Sequence, residues 1–260
     1  MFREWNQRQI VLNNVTPWIQ SPSPRLHAHW RLFCFPYAGG SARVYRDWGD
    51  RLPAQVEVCP VELPGRGRRI TAPLFTSLDE LLPHLGEALV PWLDKPFACF
   101  GHSLGGVIAF EWVRWLRQNR QPQPAHLWIS AVRAPHLVAN TPPIHDLPRA
   151  EFLAELRRYN GTPAEILENA ELMDLMLPTL RADFALLETY GYWPQPPLTC
   201  SITALWGERD AIVKPEEMAP WQQHTVGTFS LEAVSGDHFF IHQPHVLRSV
   251  QLYFSQQIFA

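Results

Sequence analysis

Residues 97–110, FACFGHSLGGVIAF, restrict the fold more than any other stretch of this 260-residue chain. An apolar run rich in β-formers passes through Gly101, His102, Ser103, Leu104 and Gly105 directly into an apolar run of helical spacing. A strand that becomes a helix within so few residues needs glycines, because only positions without side chains let the two elements approach closely. The G-x-S-x-G frame is common by chance, but between a strand and a helix it predicts a nucleophile elbow. Ser103 would then stand above a strand end, in front of a helix N-terminus whose free N–H groups and positive dipole end favour negative charge.

Five further apolar runs are equally rich in β-formers, namely WRLFCF from Trp30, VEVCPV from Val56, HLWISA from His126, SITALW from Ser201 and FSLEAV from Phe229. Helical spacing is expected between and after them, near 42–52, 77–93, 104–118, 215–224 and 244–258. Short apolar strands alternating with helices predict an α/β fold with a doubly wound, mostly parallel sheet, its strands buried on both faces by crossovers. The stretch 136–197 interrupts the alternation with helix signals alone. Leu147 and Pro148 open a segment that Asn160 and Gly161 close, and Thr162, Pro163 and Glu165 begin another. Met173, Met176, Leu177, Leu180, Phe184 and Leu187 then recur at three- and four-residue steps, with Pro178 expected to split that run into two helices. Most of this stripe reads as core packing. As a unit, helices inserted between sheet strands predict a lid over the strand ends.

Composition narrows the function classes. The length admits one large α/β domain or two small ones; a single domain over 1–260, with 136–197 inserted in it, is expected. Residues 1–29, with Pro17, Pro22 and Pro24, read as an extended lead-in. A net charge of −3 argues against a general nucleic-acid binder. Cys34, Cys59, Cys99 and Cys200 lie in or beside apolar runs without C-x-x-C spacing, so buried thiols in a reducing compartment are expected rather than disulfides or a zinc site. No apolar stretch reaches the roughly 18 residues of a membrane helix. The N-terminus lacks the apolar core and cleavage site of a secretory signal, which makes the cytoplasm the expected location.

A catalytic Ser103 needs a base to take its proton and an acid to orient that base. In the arrangement that follows an elbow, the order is Ser, then Asp or Glu, then His, the later two on loops after later strands. Asp210 closes SITALWGERD, and His238 follows the Ser-Gly-Asp turn after FSLEAV. Among eleven histidines, His238 is singled out because order and strand-end placement agree; His102 lies too near the serine along the elbow to act as base. Glu208 is the rival acid, and Asp237 a weaker one. For the oxyanion, one donor is expected from the N–H of Leu104 and the second from the FPYAGGS loop, with Ala38 N–H the candidate and Tyr37 the alternative.

FCFPYAGGSA, ELPGRGRR, FGHSLGG, LWGERD and GDHFF, in this order with a helical segment between the last strands, resemble the type II thioesterases of polyketide and nonribosomal peptide synthesis. The likeness covers about residues 16–258, and FPYAGG and ELPGRGRR are more discriminating than the elbow; residues 1–15 form an extension outside it. It implies an α/β-hydrolase fold with a helical lid insertion at about 136–197. It also implies a cytoplasmic enzyme, expected to be a monomer, that cleaves acyl or aminoacyl thioesters from the phosphopantetheine arm of an acyl or peptidyl carrier protein. No metal and no cofactor beyond the arm carried by the substrate is implied. Ser103, Asp210 and His238 match the triad, and Ala38 and Leu104 the oxyanion donors. Arg66, Arg68 and Arg69 are candidates to meet the phosphate of the arm or an acidic carrier surface, against the alternative of a solvated or internally paired loop. A general carboxylesterase or lipase, a cyclising acyltransferase, and a silent interaction module of a synthase are the competing functions.

Overall fold

Each of the six apolar runs forms a strand in the computed structural model, which describes residues 16–21, 24–25, 27–138, 141–159, 161 and 164–259. The strands are β1 (Trp30–Phe35), β2 (Val56–Pro60), β3 (Phe97–His102), β4 (His126–Ser130), β5 (Ser201–Gly207) and β6 (Phe229–Val234). They make one parallel sheet in the order β2-β1-β3-β4-β5-β6. The helices are α1 (Trp48–Arg51), α2 (Leu78–Leu89), α3 (Leu104–Gln118), α4 (Arg149–Tyr159), α5 (Ala164–Leu167), α6 (Ala170–Glu188), α7 (Pro215–Met218) and α8 (Arg248–Phe259). The region 42–52 is a 3-10 turn over Ala42–Tyr45 followed by the short α1, rather than one helix.

The period-two alternation of side chains sorts the strands between two cores. Phe33, Phe35, Phe97, Cys99, Leu127, Ile129 and Ile202 face one side, under α2 and α3. Leu32, Cys34, Ala98, Phe100, Trp128 and Leu205 face the other, against Tyr45, Trp48 and the Val250 and Phe254 side chains of α8. All four cysteines are buried free thiols. Burial on both faces holds for β1 to β5 and fails at β6, most of whose residues are half-buried or exposed. As an edge strand, β6 has a neighbour on one side only.

From β1 the chain moves outward to β2, then returns to place β3 on the opposite flank of β1. Strand order therefore reverses between β1 and β3, and the crevice at their C-terminal ends is where ligands bind in sheets of this kind. Register carries Phe35 beside Gly101 and His102 beside Ser130. The FPYAGGS loop and Ser103 thus emerge at one rim.

Residues 141–159 and 164–188 supply α4, α5 and α6, which share an apolar cluster of their own built on Phe152, Leu156, Met173, Leu177, Leu180 and Phe184. Pro148 immediately precedes α4, as expected, and its carbonyl accepts from Phe152 N–H. Asn160, Thr162 and Pro163 lie outside the described residues. One expectation is corrected: Pro178 does not divide the Met173–Leu187 run, and α6 continues through it for 19 residues. Proline removes one N–H and crowds the carbonyl four residues earlier. Here both Pro178 and Asp174 are exposed, so the proline lies on the solvent side of α6 while the buried face keeps the helix seated.

Candidate active site

Ser103 is the N-cap of α3, with φ 53° and ψ −119°. A non-glycine residue there is strained, at a cost of about 1–3 kcal/mol that surrounding contacts must impose. Its N–H donates to Ser130 O at 2.8 Å, and Gly106 N–H donates to its own carbonyl at 2.8 Å. The frame glycines are steric requirements. A methyl on Gly101 would lie 2.1 Å from Gly105 O, and one on Gly105 would lie 2.0 Å from Phe35 O. The start of α3 is therefore pressed against the end of β1 and the loop that follows.

Three side chains from distant parts of the sequence meet at Ser103. His238 Nε2 is 3.2 Å from Ser103 Oγ, and His238 Nδ1 is 2.8 Å from Asp210 Oδ2. Asp210 Oδ1 accepts from Ile212 N–H at 2.7 Å and Val213 N–H at 3.0 Å. Burial acts to raise the Asp210 pKa, but the His238 hydrogen bond and charge, with the two backbone donors, outweigh it and leave the carboxyl below its ordinary range. An ionised Asp210 fixes the proton on Nδ1 and turns Nε2, as an acceptor, toward the serine hydroxyl. The rival acids sit elsewhere: Glu208 and Asp237 are exposed, and Asp237 Oδ1 accepts from Phe239 N–H.

His102 is fully buried, with Nε2 2.9 Å from His238 O and Nδ1 2.8 Å from Ser130 Oγ. A carbonyl only accepts, so Nε2 carries the proton and Nδ1 accepts from the Ser130 hydroxyl. Burial, then the nearby His238, hold its pKa well below the usual histidine range. Neutral His102 ties the nucleophile strand to the backbone of the base. Its adjacency to Ser103 in sequence says nothing of this link, which only the fold makes.

Above the triad lies a cavity of about 220 Å³, lined by Ser103, His238 and Ala38 below and by Leu156, Met176, Leu180 and Phe184 of the inserted helices. The walls are apolar and the reacting groups cluster at one end. A wider cavity of about 520 Å³ opens between α2, α3 and residues 189–195, and none of the triad lines it. Among the described residues, the N–H groups of Ala38 and Leu104 donate to no other backbone group. Gly39, at φ 76°, gives the loop its turn. No three His, Cys, Asp or Glu side chains cluster to hold a metal among the described residues.

Of the two readings of the arginine cluster, Arg66 and Arg69 take the internally paired one. Arg66 does not face solvent: its Nη1 and Nη2 each lie 2.6 Å from Asp183 of α6, and Nη1 also donates to Gly40 O at 2.9 Å. Arg69 stacks over the Trp18 ring at 3.5 Å and donates to Glu62 O. Only Arg68 is exposed. Four of the five Arg66 N–H groups are thus engaged inside the protein, its charge already met by a buried carboxylate in fork geometry. Asp183 was missed at the sequence level; the available signal was a carboxylate in the middle of a buried apolar stripe.

The family model described as thioesterase domain matches residues 30–252. Linear gramicidin dehydrogenase LgrE of Brevibacillus parabrevis is 45% identical over 234 residues, covering 88% of this chain and 89% of that protein. Type II thioesterase BorB from the borrelidin biosynthetic cluster superposes with a TM-score of 0.82 at 34% identity, over 91% of this chain and 97% of that one. YbtT, a type II thioesterase from the yersiniabactin NRPS/PKS biosynthetic pathway, superposes with a TM-score of 0.76 at 31% identity, covering 92% and 95% respectively.

Proposed function

The chain belongs to the thioesterase family, and on that footing we propose that it is a type II thioesterase of a polyketide or nonribosomal peptide pathway. It hydrolyses acyl or aminoacyl thioesters from the phosphopantetheine arm of an acyl or peptidyl carrier protein. The observation that carries the reading is the unbroken chain of hydrogen-bonding contacts from Asp210 through His238 to Ser103, opening into an apolar cavity.

The reaction runs in two halves. Ser103 Oγ attacks the thioester carbonyl while His238 Nε2 accepts its proton; Asp210 holds the ring and stabilises the imidazolium that forms. The N–H groups of Ala38 and Leu104 receive the developing oxyanion. Each such donor is worth about 3–4 kcal/mol of barrier. Collapse expels the thiolate, which takes the proton from His238 and leaves an acyl-serine. His238 then draws a proton from water, hydroxide adds to the acyl carbon, and the free acid departs as Ser103 is reprotonated. The helices over residues 136–197 act as the lid that keeps bulk water from the first half. The chemistry asks for no cofactor, since the arm comes with the substrate, and the cytoplasm, where carrier proteins work, is the proposed location.

The word dehydrogenase in the name of LgrE belongs to that protein. Hydride transfer would leave the Ser103, His238 and Asp210 relay without a task. The proposal is tested with acetyl-, aminoacyl- and longer acyl-carrier proteins, following the mass of the carrier as the arm is freed. Hydrolysis by the unaltered protein and none above background by Ser103→Ala is expected. Undiminished hydrolysis by Ser103→Ala would end the reading.

A further inference from the structure

The FPYAGGS loop is held by a device outside the triad. Asp183 Oδ2 accepts from Gly39 N–H at 2.6 Å and from Arg66 Nη1 at 2.6 Å, while Oδ1 accepts from Arg66 Nη2 at 2.6 Å. Arg66 returns to the same loop through Nη1 to Gly40 O, and its Nε donates to Pro64 O at 3.2 Å. Gly40 N–H closes onto Tyr37 O at 2.8 Å. The peptide planes on the C-terminal side of Ala38 are thus gripped at a donor and at an acceptor by one buried ion pair, whose side chains are 8% and 2% exposed. Those partners come from two other parts of the fold: Arg66 from the loop after β2, and Asp183 from α6 of the inserted helices. Beside them, Leu180 of α6 packs on Gly39 and Thr179 Oγ1 donates to Gly65 O.

We infer that Arg66 and Asp183 are positioning residues, which aim Ala38 N–H at the oxyanion and do so only while α6 is seated. The inference rests on the thioesterase reading and deepens it. A buried ion pair is a poor source of net stability, because desolvation offsets most of the attraction, and apolar pairs of similar volume often replace one without loss. What an apolar pair cannot do is accept from Gly39 N–H and donate to Gly40 O. Asp183 belongs to the helix that also walls the acyl cavity, so raising that helix releases the loop in the same movement. The oxyanion pocket is therefore assembled by closure and dissolved by opening.

The test uses the whole chain, an acetyl-N-acetylcysteamine thioester, and an acyl trifluoromethyl ketone whose adduct with serine places an oxyanion in the pocket. For Asp183→Asn, kcat is expected to fall about 10- to 100-fold, because a donor is misaimed rather than deleted, with KM changed by less than threefold. Affinity for the ketone should fall in parallel. Arg66→Lys, which keeps a positive charge beside Asp183 but not the fork, should lose less of kcat than Asp183→Asn does. The double variant Arg66→Met with Asp183→Leu should melt within a few degrees of the unaltered protein yet lose kcat as Asp183→Asn does. Rates are expressed per folded molecule by circular dichroism, so partial unfolding of one variant leaves the other readable. Unchanged kcat and ketone affinity in folded Asp183→Asn, or a loss confined to KM, would overturn the inference. Failure of the unaltered protein to cleave the thioester would count against the thioesterase reading instead.

Discussion

Gly105→Ala is the sharpest test of how the site is assembled. The new methyl would sit 2.0 Å from Phe35 O. Because β1 is held between β2 and β3 and the Phe35 carbonyl already accepts from buried Tyr45 at 2.6 Å, the strand cannot easily yield. The start of α3 must then retreat by about 1.3 Å to reach a tolerable carbon–oxygen separation, the closest of which fall near 3.3 Å. Leu104 N–H and Ser103 move with it, away from Ala38. A displacement of about 1 Å at reacting groups costs on the order of 100-fold in rate, or roughly 2.7 kcal/mol of barrier. The assay is thiol release from a short acyl-N-acetylcysteamine thioester, with a thermal melt to show that the variant folds. Gly49→Ala serves as control, since its methyl meets nothing within 4 Å. A folded Gly105→Ala protein turning over at the unaltered rate would refute the claim that contact between α3 and β1 sets the oxyanion geometry.

Other expectations follow from the same geometry. Asp210→Asn should lower kcat about ten-thousand-fold by releasing the His238 tautomer, with little change in melting temperature; a loss under tenfold in steady-state kinetics would contradict the role given to that carboxylate. His102→Leu leaves Ser130 Oγ and His238 O without their buried partner and should cost about 1–3 kcal/mol of stability, read as a lower denaturant midpoint, together with slower turnover; an unchanged midpoint would count against the link. Burial holds His102, His126 and His224 below the ordinary histidine range, the last two at about 4. The unfolded chain, titrating near 6.5, therefore binds more protons between about pH 4 and 6.5. Stability is fully present above that window and falls as pH drops through it, by up to about 1.4 kcal/mol per pH unit for each histidine. Equal denaturant midpoints at pH 7 and pH 5 would contradict this.

Strand positions are legible in the sequence because a strand covered on both faces has only one composition available to it, a short apolar run. The edge strand β6 obeys a looser rule, and its FSLEAV run overstates its burial. The triad is legible because chain order and strand ends constrain it at once, so that Asp210 and His238 stand out from Glu208, Asp237 and ten other histidines. Long-range polar pairing leaves no such mark. Asp183 within an apolar stripe shows that a partner must exist, but nothing local selects Arg66, which lies 117 residues away. For the same reason nothing in PGRGRR decides between a ligand-facing and an internally paired loop, and the fold turns Arg66 and Arg69 inward. Pro178 misled for a related reason: its cost is fixed by whether the carbonyl four residues back meets solvent, and tertiary burial decides that.

The base proposed here stands on the loop after β6, the last of the described strands in chain order and, like β2, joined to the sheet along a single border. During synthesis on a ribosome, the hydroxyl of the elbow is in place long before its proton acceptor emerges. On the proposed mechanism, a chain that stops short of His238 is inert toward loaded carriers and forms no acyl-enzyme. Turnover on that mechanism therefore reports that the loop after β6 has reached Ser103.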